Sequence, residues 1–317
     1  MAVVDELAHA RRRQRDAVLV GLDLGGTADL HAVWIADRDG PGGEGPFAAQ
    51  PRKRDTLPRV LHHVRTGSGP PLLLAHGIGM SHRAFDGVVE LLSSGREVFA
   101  VDLPGFGASV PLPGAPTMQA LANACVAFMA GRGHERFHVA GNSLGGGIAL
   151  HLALDGRASS ACALSPVGFV EGWERAYLQL SLALTRLGGP AAAAILRVAG
   201  DSRAVRRALV RQYAEHADRL SIERLVGAFE DVGAPGYFPT ARHALNWIAP
   251  HAEAPPCPIT VAWAEHDRLL LTGPQFARAR ERLPRARHLT LAGCGHLPSW
   301  DDPEQVARIV REASAGG

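Results

Sequence analysis

The chain predicts a doubly wound, mostly parallel α/β domain carrying an inserted helical cap, and three observations lead there. From residue 58 onward, short β-rich runs alternate with helix-period segments, as strands joined by crossover helices do. Those runs are near-continuously apolar, which suits parallel strands covered on both faces. The alternation then breaks between Pro166 and Pro256, an interval too long for a loop in a compact domain, so something folded is inserted there.

Residues 1–57 read differently. Arg11, Arg12, Arg13 and Arg15 precede a short apolar stretch bracketed by Asp16 and Asp23, which is too short for the core of an export signal and reads as a solvated basic arm. Gly40 to Gly45 and Pro51 to Arg54 form a linker-like stretch before a boundary near residue 57. Asp23-Leu24-Gly25-Gly26-Thr27 resembles the first phosphate-binding turn of sugar kinases and actin-like ATPases. The second phosphate loop and two-lobed body of that superfamily have no counterpart downstream, and no ATP site is expected.

In the domain proper, strands are predicted at Arg59–Val64, Pro71–Ala75, Glu97–Asp102, Arg136–Ala140, Ala161–Leu164, Ile259–Trp263 and His288–Leu291, all rich in Val, Leu and Ala. Helices are predicted at Ala84–Leu92, Met118–Ala130, Leu144–Leu154, Pro274–Leu283 and Pro303–Ala313. Within the insertion, Trp173, Ala176, Tyr177, Leu180, Leu184 and Leu187 form a 3.6-period stripe expected to end at Gly188-Gly189-Pro190. Further helices are expected at Ala191–Val198, Arg203–His216, Ile222–Phe229 and Ala241–Ile248, with Asp201, Ser221 and Thr240 near their starts as caps. The expected organisation is an N-terminal arm (1–57), a core (58–166 and 256–317) and a helical cap (167–255).

Composition bounds the function. With 46% hydrophobic and 20% charged residues over 317, the chain is globular, neither disordered nor collagen-like. A net charge of +2, from 33 basic and 31 acidic residues, gives no overall reason to expect nucleic acid or a membrane surface as partner. Cys125, Cys162, Cys257 and Cys294 lie far apart with no C-x-x-C pair, so no disulfide framework or thiolate zinc site is suggested and a reducing cytoplasm is expected. No apolar run reaches the roughly 18 to 20 residues that cross a bilayer, and no membrane span is expected. Nothing in the sequence sets an oligomeric state.

The strongest chemical signal is Gly141-Asn142-Ser143-Leu144-Gly145, placed between a predicted strand and a predicted helix. Gly141 and Gly145 let the chain turn sharply at Ser143, which exposes its hydroxyl at a helix N-terminus where the dipole favours developing negative charge. A serine hydroxyl needs a base and a group that orients the base. His296 lies in the loop Gly293-Cys294-Gly295-His296 after the last predicted strand. Asp267, with Glu265 as a competitor in the same loop, follows the preceding strand. Oxyanion donors are expected from His76-Gly77-Ile78-Gly79, after the strand ending at Ala75. Of the other histidines, His76 reads as a loop-ordering residue, and His62, His63 and His82 as ordinary surface or core residues. Asp102 to Gly107 reads as a backbone turn.

From these motifs the chain resembles the α/β-hydrolase fold family over about residues 58–315, in its serine-nucleophile branch with a helical cap. The resemblance implies Ser143 as nucleophile, His296 as general base and then acid, Asp267 as the orienting carboxylate, and the backbone N–H groups of Ile78 and Leu144 as oxyanion donors. His76, Gly77, Gly141 and Gly145 would support these turns, and no metal or organic cofactor is implied. Serine at position 143 departs from the haloalkane dehalogenase and epoxide hydrolase branches, which use Asp there. Gly79-Met80-Ser81 departs from the Gly-Pro-Gly continuation of carbon–carbon bond hydrolases. The expected activity is cleavage of an ester or similar acyl bond through an acyl-enzyme, with a small-molecule, apolar acyl substrate whose size the sequence leaves open. A carbon–carbon hydrolase, lyase or acyltransferase on the same residues, and a non-catalytic binding protein, stay open as alternatives.

Overall fold

A computed structural model describes residues 61–315, and the arm, linker and Asp23–Thr27 turn read above lie outside them. Among the described residues seven strands form one sheet: β1 (His63–Thr66), β2 (Pro71–Ala75), β3 (Glu97–Val101), β4 (Phe137–Asn142), β5 (Ala158–Leu164), β6 (Ile259–Ala264) and β7 (Arg287–Leu291). Their order is β1-β3-β2-β4-β5-β6-β7, with only β1 antiparallel to its neighbour. Side chains alternate across the sheet between two cores. On β2, Leu73 and Ala75 pack into one and Leu72 and Leu74 into the other, so the unbroken apolar run predicted a strand with two buried faces.

The helices of the core are α1 (Asp86–Leu92), α2 (Met118–Ala130), α3 (Leu144–Leu154), α8 (Thr272–Arg282), α9 (Pro298–Asp301) and α10 (Pro303–Ala313). The short α9, between the His296 loop and α10, was not anticipated. Between β5 and β6 lie α4 (Trp173–Ala199), α5 (Arg203–Val210), α6 (Ile222–Asp231) and α7 (Tyr237–His243).

This inserted region corrects the sequence reading in several ways. The helix from Trp173 does not stop at Gly188-Gly189-Pro190 but continues through Pro190 to Ala199. Gly189 is needed where α4 meets α6, because a Cβ there would lie 2.7 Å from Val232 Cγ2, and the cost of Pro190, a lost N–H bond and crowding of the carbonyl one turn earlier, is offset where packing holds the helix on both sides. The helix from Arg203 ends at Val210 rather than His216, and the last one lies at Tyr237–His243 rather than Ala241–Ile248. Ser202, not Asp201, accepts the capping bond from Val205 N–H. Ser221 caps α6, accepting from Arg224 N–H at 3.2 Å. Thr240 lies inside α7, fully buried, and caps nothing.

The stripe that defined α4 in the sequence also faces outward. Leu178, Leu182, Ala192, Ala193 and Leu196 enter the cores, whereas Trp173, Leu180, Leu184 and Leu187 are exposed. By length and composition α4 is also the one helix among the described residues long and apolar enough to cross a bilayer, contrary to the expectation that no segment qualifies. Here it packs against α6 as part of the domain.

Candidate active site

The sheet order reverses between β2 and β4, so connections leave these two strands in opposite directions and open a crevice at their C-terminal ends. His76-Gly77 follows β2 and Ser143 follows β4, which places both at that crevice.

Ser143 has φ 57° and ψ −113°, a left-handed conformation that costs a non-glycine residue energy and persists only where its surroundings enforce it. Here Ser143 N–H donates to Leu164 O at 2.9 Å, and Ser143 O accepts from Gly147 N–H at 3.0 Å and Val167 N–H at 3.1 Å. Both flanking glycines are sterically required. A Cβ on Gly141 would lie 2.3 Å from the Gly145 backbone, and one on Gly145 would lie 1.9 Å from Ala75 O.

Asp267 and His296 come from loops after β6 and β7 and are both buried. His296 Nδ1 lies 2.8 Å from Asp267 Oδ2. The other carboxylate oxygen, Oδ1, accepts from Leu269 N–H at 2.9 Å and Leu270 N–H at 2.8 Å, which fixes the carboxylate in place. This arrangement puts the proton on Nδ1 and leaves the Nε2 lone pair available. Glu265 faces elsewhere, accepting from Gly293 N–H at 2.8 Å on the surface. His296 and Ser143 line one cavity, with about 570 Å³ of space including its opening to solvent. Among the described residues no hydrogen bond joins Ser143 Oγ to the imidazole.

The N–H groups of Ile78 and Leu144 have no acceptor among the described residues. That of Leu144 belongs to the first turn of α3, where no intrahelical partner exists. Gly77 closes on the serine, since a Cβ there would stand 3.3 Å from Ser143 Cβ. His76 holds this loop: its Nε2 accepts from Leu103 N–H at 2.9 Å and its Nδ1 donates to Gly77 O at 2.7 Å. Burial pushes its pKa down to about 4, so it is a neutral imidazole of fixed tautomer. The thiol of Cys294, two residues before His296, is pushed up to about 12 chiefly by burial and offers no competing nucleophile.

Two positioning groups escaped the sequence reading. Asn142 Nδ2 donates to His296 O at 2.9 Å and to Leu164 O at 3.1 Å, tying the histidine loop to β5. The buried Asp301 carboxylate accepts from Gly295 N–H at 2.7 Å on one side, and from Glu215 N–H at 3.0 Å and His216 N–H at 2.7 Å on the other. Leu297 N–H adds a bond to Tyr213 O at 2.7 Å. Nothing local marks Asp301, because the adjacent Asp302 is the residue that caps α10.

His62, His82 and Asp102 bring their ligand atoms within 4.8 Å of one another, the spacing a metal ion would use. Each Asp102 oxygen already meets one imidazole Nδ1 at 2.8 Å and one backbone N–H, from His82 or Ala108. Burial penalises this carboxylate, yet the bonds from His82 and Ala108 outweigh it and hold the pKa below the usual range. As arranged, the cluster is a hydrogen-bonded hub for the Asp102–Gly107 turn.

Comparison with known proteins agrees with this architecture. The chain is 34% identical over 125 residues to the dihydrolipoyllysine-residue acetyltransferase component of an acetoin cleaving system from Cupriavidus necator, covering 38% of this chain and only 33% of that protein. It is 29% identical over 189 residues to epoxide hydrolase EphH of Mycobacterium tuberculosis, covering 56% of this chain and 86% of the relative. Among solved structures, a thermophilic esterase from Thermogutta terrifontis superposes with a TM-score of 0.59 at 24% identity, covering 80% of this chain and 92% of the esterase. The sequence profile described as the alpha/beta hydrolase family matches residues 72–309, and the chain belongs to that family.

Proposed function

We propose that the protein is a serine hydrolase that cleaves an ester or similar acyl bond through an acyl-enzyme. The observation that carries this reading is the buried Asp267–His296 pair opening onto the same cavity as Ser143, which sits on a strained strand-to-helix turn. In this mechanism His296 Nε2 takes the Ser143 proton as Oγ attacks the substrate carbonyl, and Asp267 stabilises the resulting imidazolium. The oxyanion is held by the N–H groups of Ile78 and Leu144. Collapse of the tetrahedral intermediate expels the alcohol, protonated by His296, and water then repeats the sequence to release the acid.

In the same reading, residues 167–255 form a cap whose helices α4 to α7 supply much of the cavity wall, including Leu182, Leu225, Phe229 and Tyr237. Among the described residues no Asp, Glu, Lys or Arg lines the cavity, which favours a neutral, apolar substrate: a buried carboxylate would have no cation to meet. That disfavours carboxylate-bearing substrates. Serine at position 143 favours acyl transfer over the epoxide chemistry of the M. tuberculosis relative. The four cysteines are free and buried, in keeping with a reducing compartment.

The test is intact mass after treatment with a fluorophosphonate, on the native chain and on Ser143→Ala. One adduct on the native chain and none on the variant is expected, with turnover of neutral p-nitrophenyl esters lost in the variant. An unlabelled native chain would remove the hydrolase reading in favour of a binding protein.

A further inference from the structure

Acyl transfer uses Ser143 and His296 of the cavity wall and leaves the other polar side chains there without a task. Most of that wall is aliphatic or aromatic, yet Thr185 of α4 and Tyr213, from the segment after α5, both line it. Their hydroxyls are hydrogen-bonded to each other. Thr185 Oγ1 also donates to Ser181 O at 2.8 Å, the bond a threonine makes one turn back along its own helix. A hydroxyl has a single proton. With that of Thr185 committed to Ser181, Tyr213 is the donor in the shared bond. Burial raises the Tyr213 phenol above its usual pKa, which keeps it a neutral hydroxyl.

Both protons of the pair are therefore committed, while oxygen lone pairs remain. Among the described residues nothing else donates to Thr185 Oγ1 or to the Tyr213 phenol oxygen. The pair is an acceptor set into an apolar wall, and a pocket of this kind takes its specificity from a few such polar groups. The remaining polar side chains of the wall differ from it. Tyr237 is 1% exposed and donates to Leu182 O at 3.0 Å. Trp300 carries a buried indole N–H with no acceptor among the described residues, and it also lines a second recess together with Arg224. An indole N–H is a donor and selects the opposite kind of partner.

We propose that Thr185 and Tyr213 form a specificity subsite that accepts a hydrogen bond from a hydroxyl on the substrate, so that the preferred substrate is a neutral ester, apolar apart from that hydroxyl. The proposal rests on the hydrolase reading for the ester bond alone, since recognition of the hydroxyl is a property of the cavity whether or not turnover follows. An alkyl chain at this position leaves the acceptor pair unsatisfied, and an ether oxygen meets it lone pair to lone pair. A buried ammonium would find no carboxylate, because none lines the cavity among the described residues. An amide N–H would bring a carbonyl that this pair has no proton to satisfy. A hydroxyl is the group that fits.

The experiment measures kcat/KM of the full chain for methyl hexanoate, its 3-hydroxy and 6-hydroxy derivatives and the two matching methoxy esters. The affinity of the same esters for Ser143→Ala is measured by calorimetry. At least one hydroxy ester should be favoured about tenfold over both its methoxy counterpart and methyl hexanoate, in turnover and in binding. Thr185→Val frees the Tyr213 proton to donate, so the methoxy ester should gain and the hydroxy-to-methoxy ratio should fall to near one. Adding Tyr213→Phe should leave no preference for either oxygen. Each ratio is taken within one variant, so a loss shared by every ester cancels. Hydroxy and methoxy esters favoured alike by the native cavity overturn the proposal and assign the contact to the Trp300 N–H. A hydroxyl preference that survives Thr185→Val, or no preference in either measure, also overturns it. Absence of turnover with the preference kept in binding to Ser143→Ala removes the hydrolase reading and leaves the subsite standing.

Discussion

At the residue scale, the site depends on which groups hold which. Asp267 spends one oxygen on two backbone N–H groups and the other on His296, so it can orient the imidazole without moving. Asp267→Asn should therefore lower kcat/KM for a p-nitrophenyl ester by roughly 10³-fold or more, because an amide can present N–H to Nδ1 and favour the wrong tautomer. Glu265→Gln, which alters a surface contact to Gly293, should change it less than about threefold. Steady-state kinetics on the two variants checks this, and the opposite ranking would move the orienting role to Glu265. The proposed serine, base and carboxylate were all legible in the sequence because the chemistry restricts them to particular residue types at strand ends. Asn142 and Asp301 were not, because each acts through backbone groups distant in sequence, and a backbone N–H looks the same in every residue.

At the element scale, the short α9 and the segment after α5 are joined through Asp301, whose carboxylate gathers N–H groups from Gly295, Glu215 and His216. Removing it leaves one buried and two half-buried donors unpaired. Asp301→Ala should cost on the order of 3 kcal/mol of stability, read by denaturant unfolding. Asp301→Asn keeps one acceptor oxygen and should cost less. If Asp301 positions His296, the Asn variant also lowers kcat more than it raises KM, whereas equal folding with unchanged kcat would limit Asp301 to a structural role. Element boundaries were legible where the chain has one tenable reading: Met118–Ala130, Leu144–Leu154 and Pro303–Ala313 form where the pattern placed them. Pro190 and Thr240 misled because proline and a β-hydroxyl carry local signals that tertiary packing overrides.

At the scale of the whole molecule, stability should depend on pH through His76. Burial lowers its folded pKa to about 4, against 6.5 for an exposed imidazole. The unfolded chain therefore binds more protons between these values. The stability associated with the neutral imidazole is complete above pH 6.5 and is lost as pH falls toward 4, by about 3 kcal/mol at most. Urea unfolding across this range should show that slope. His76→Gln, which retains a donor and an acceptor without titrating, should flatten it, and an unchanged slope would assign the acid sensitivity to other groups.

By itself the sequence determined the layered α/β architecture, the order of strands and helices in the core, and the residue types at the crevice. Unbroken apolar runs, glycine-flanked turns and chemically restricted side chains each admit few structural solutions. Only the tertiary structure decided which side of α4 is buried, because a helix with apolar residues on two faces has a period but no inside or outside. Burial against α6 and the cavity claimed the stripe through Leu178 and Leu182, and left Trp173, Leu180, Leu184 and Leu187 facing outward.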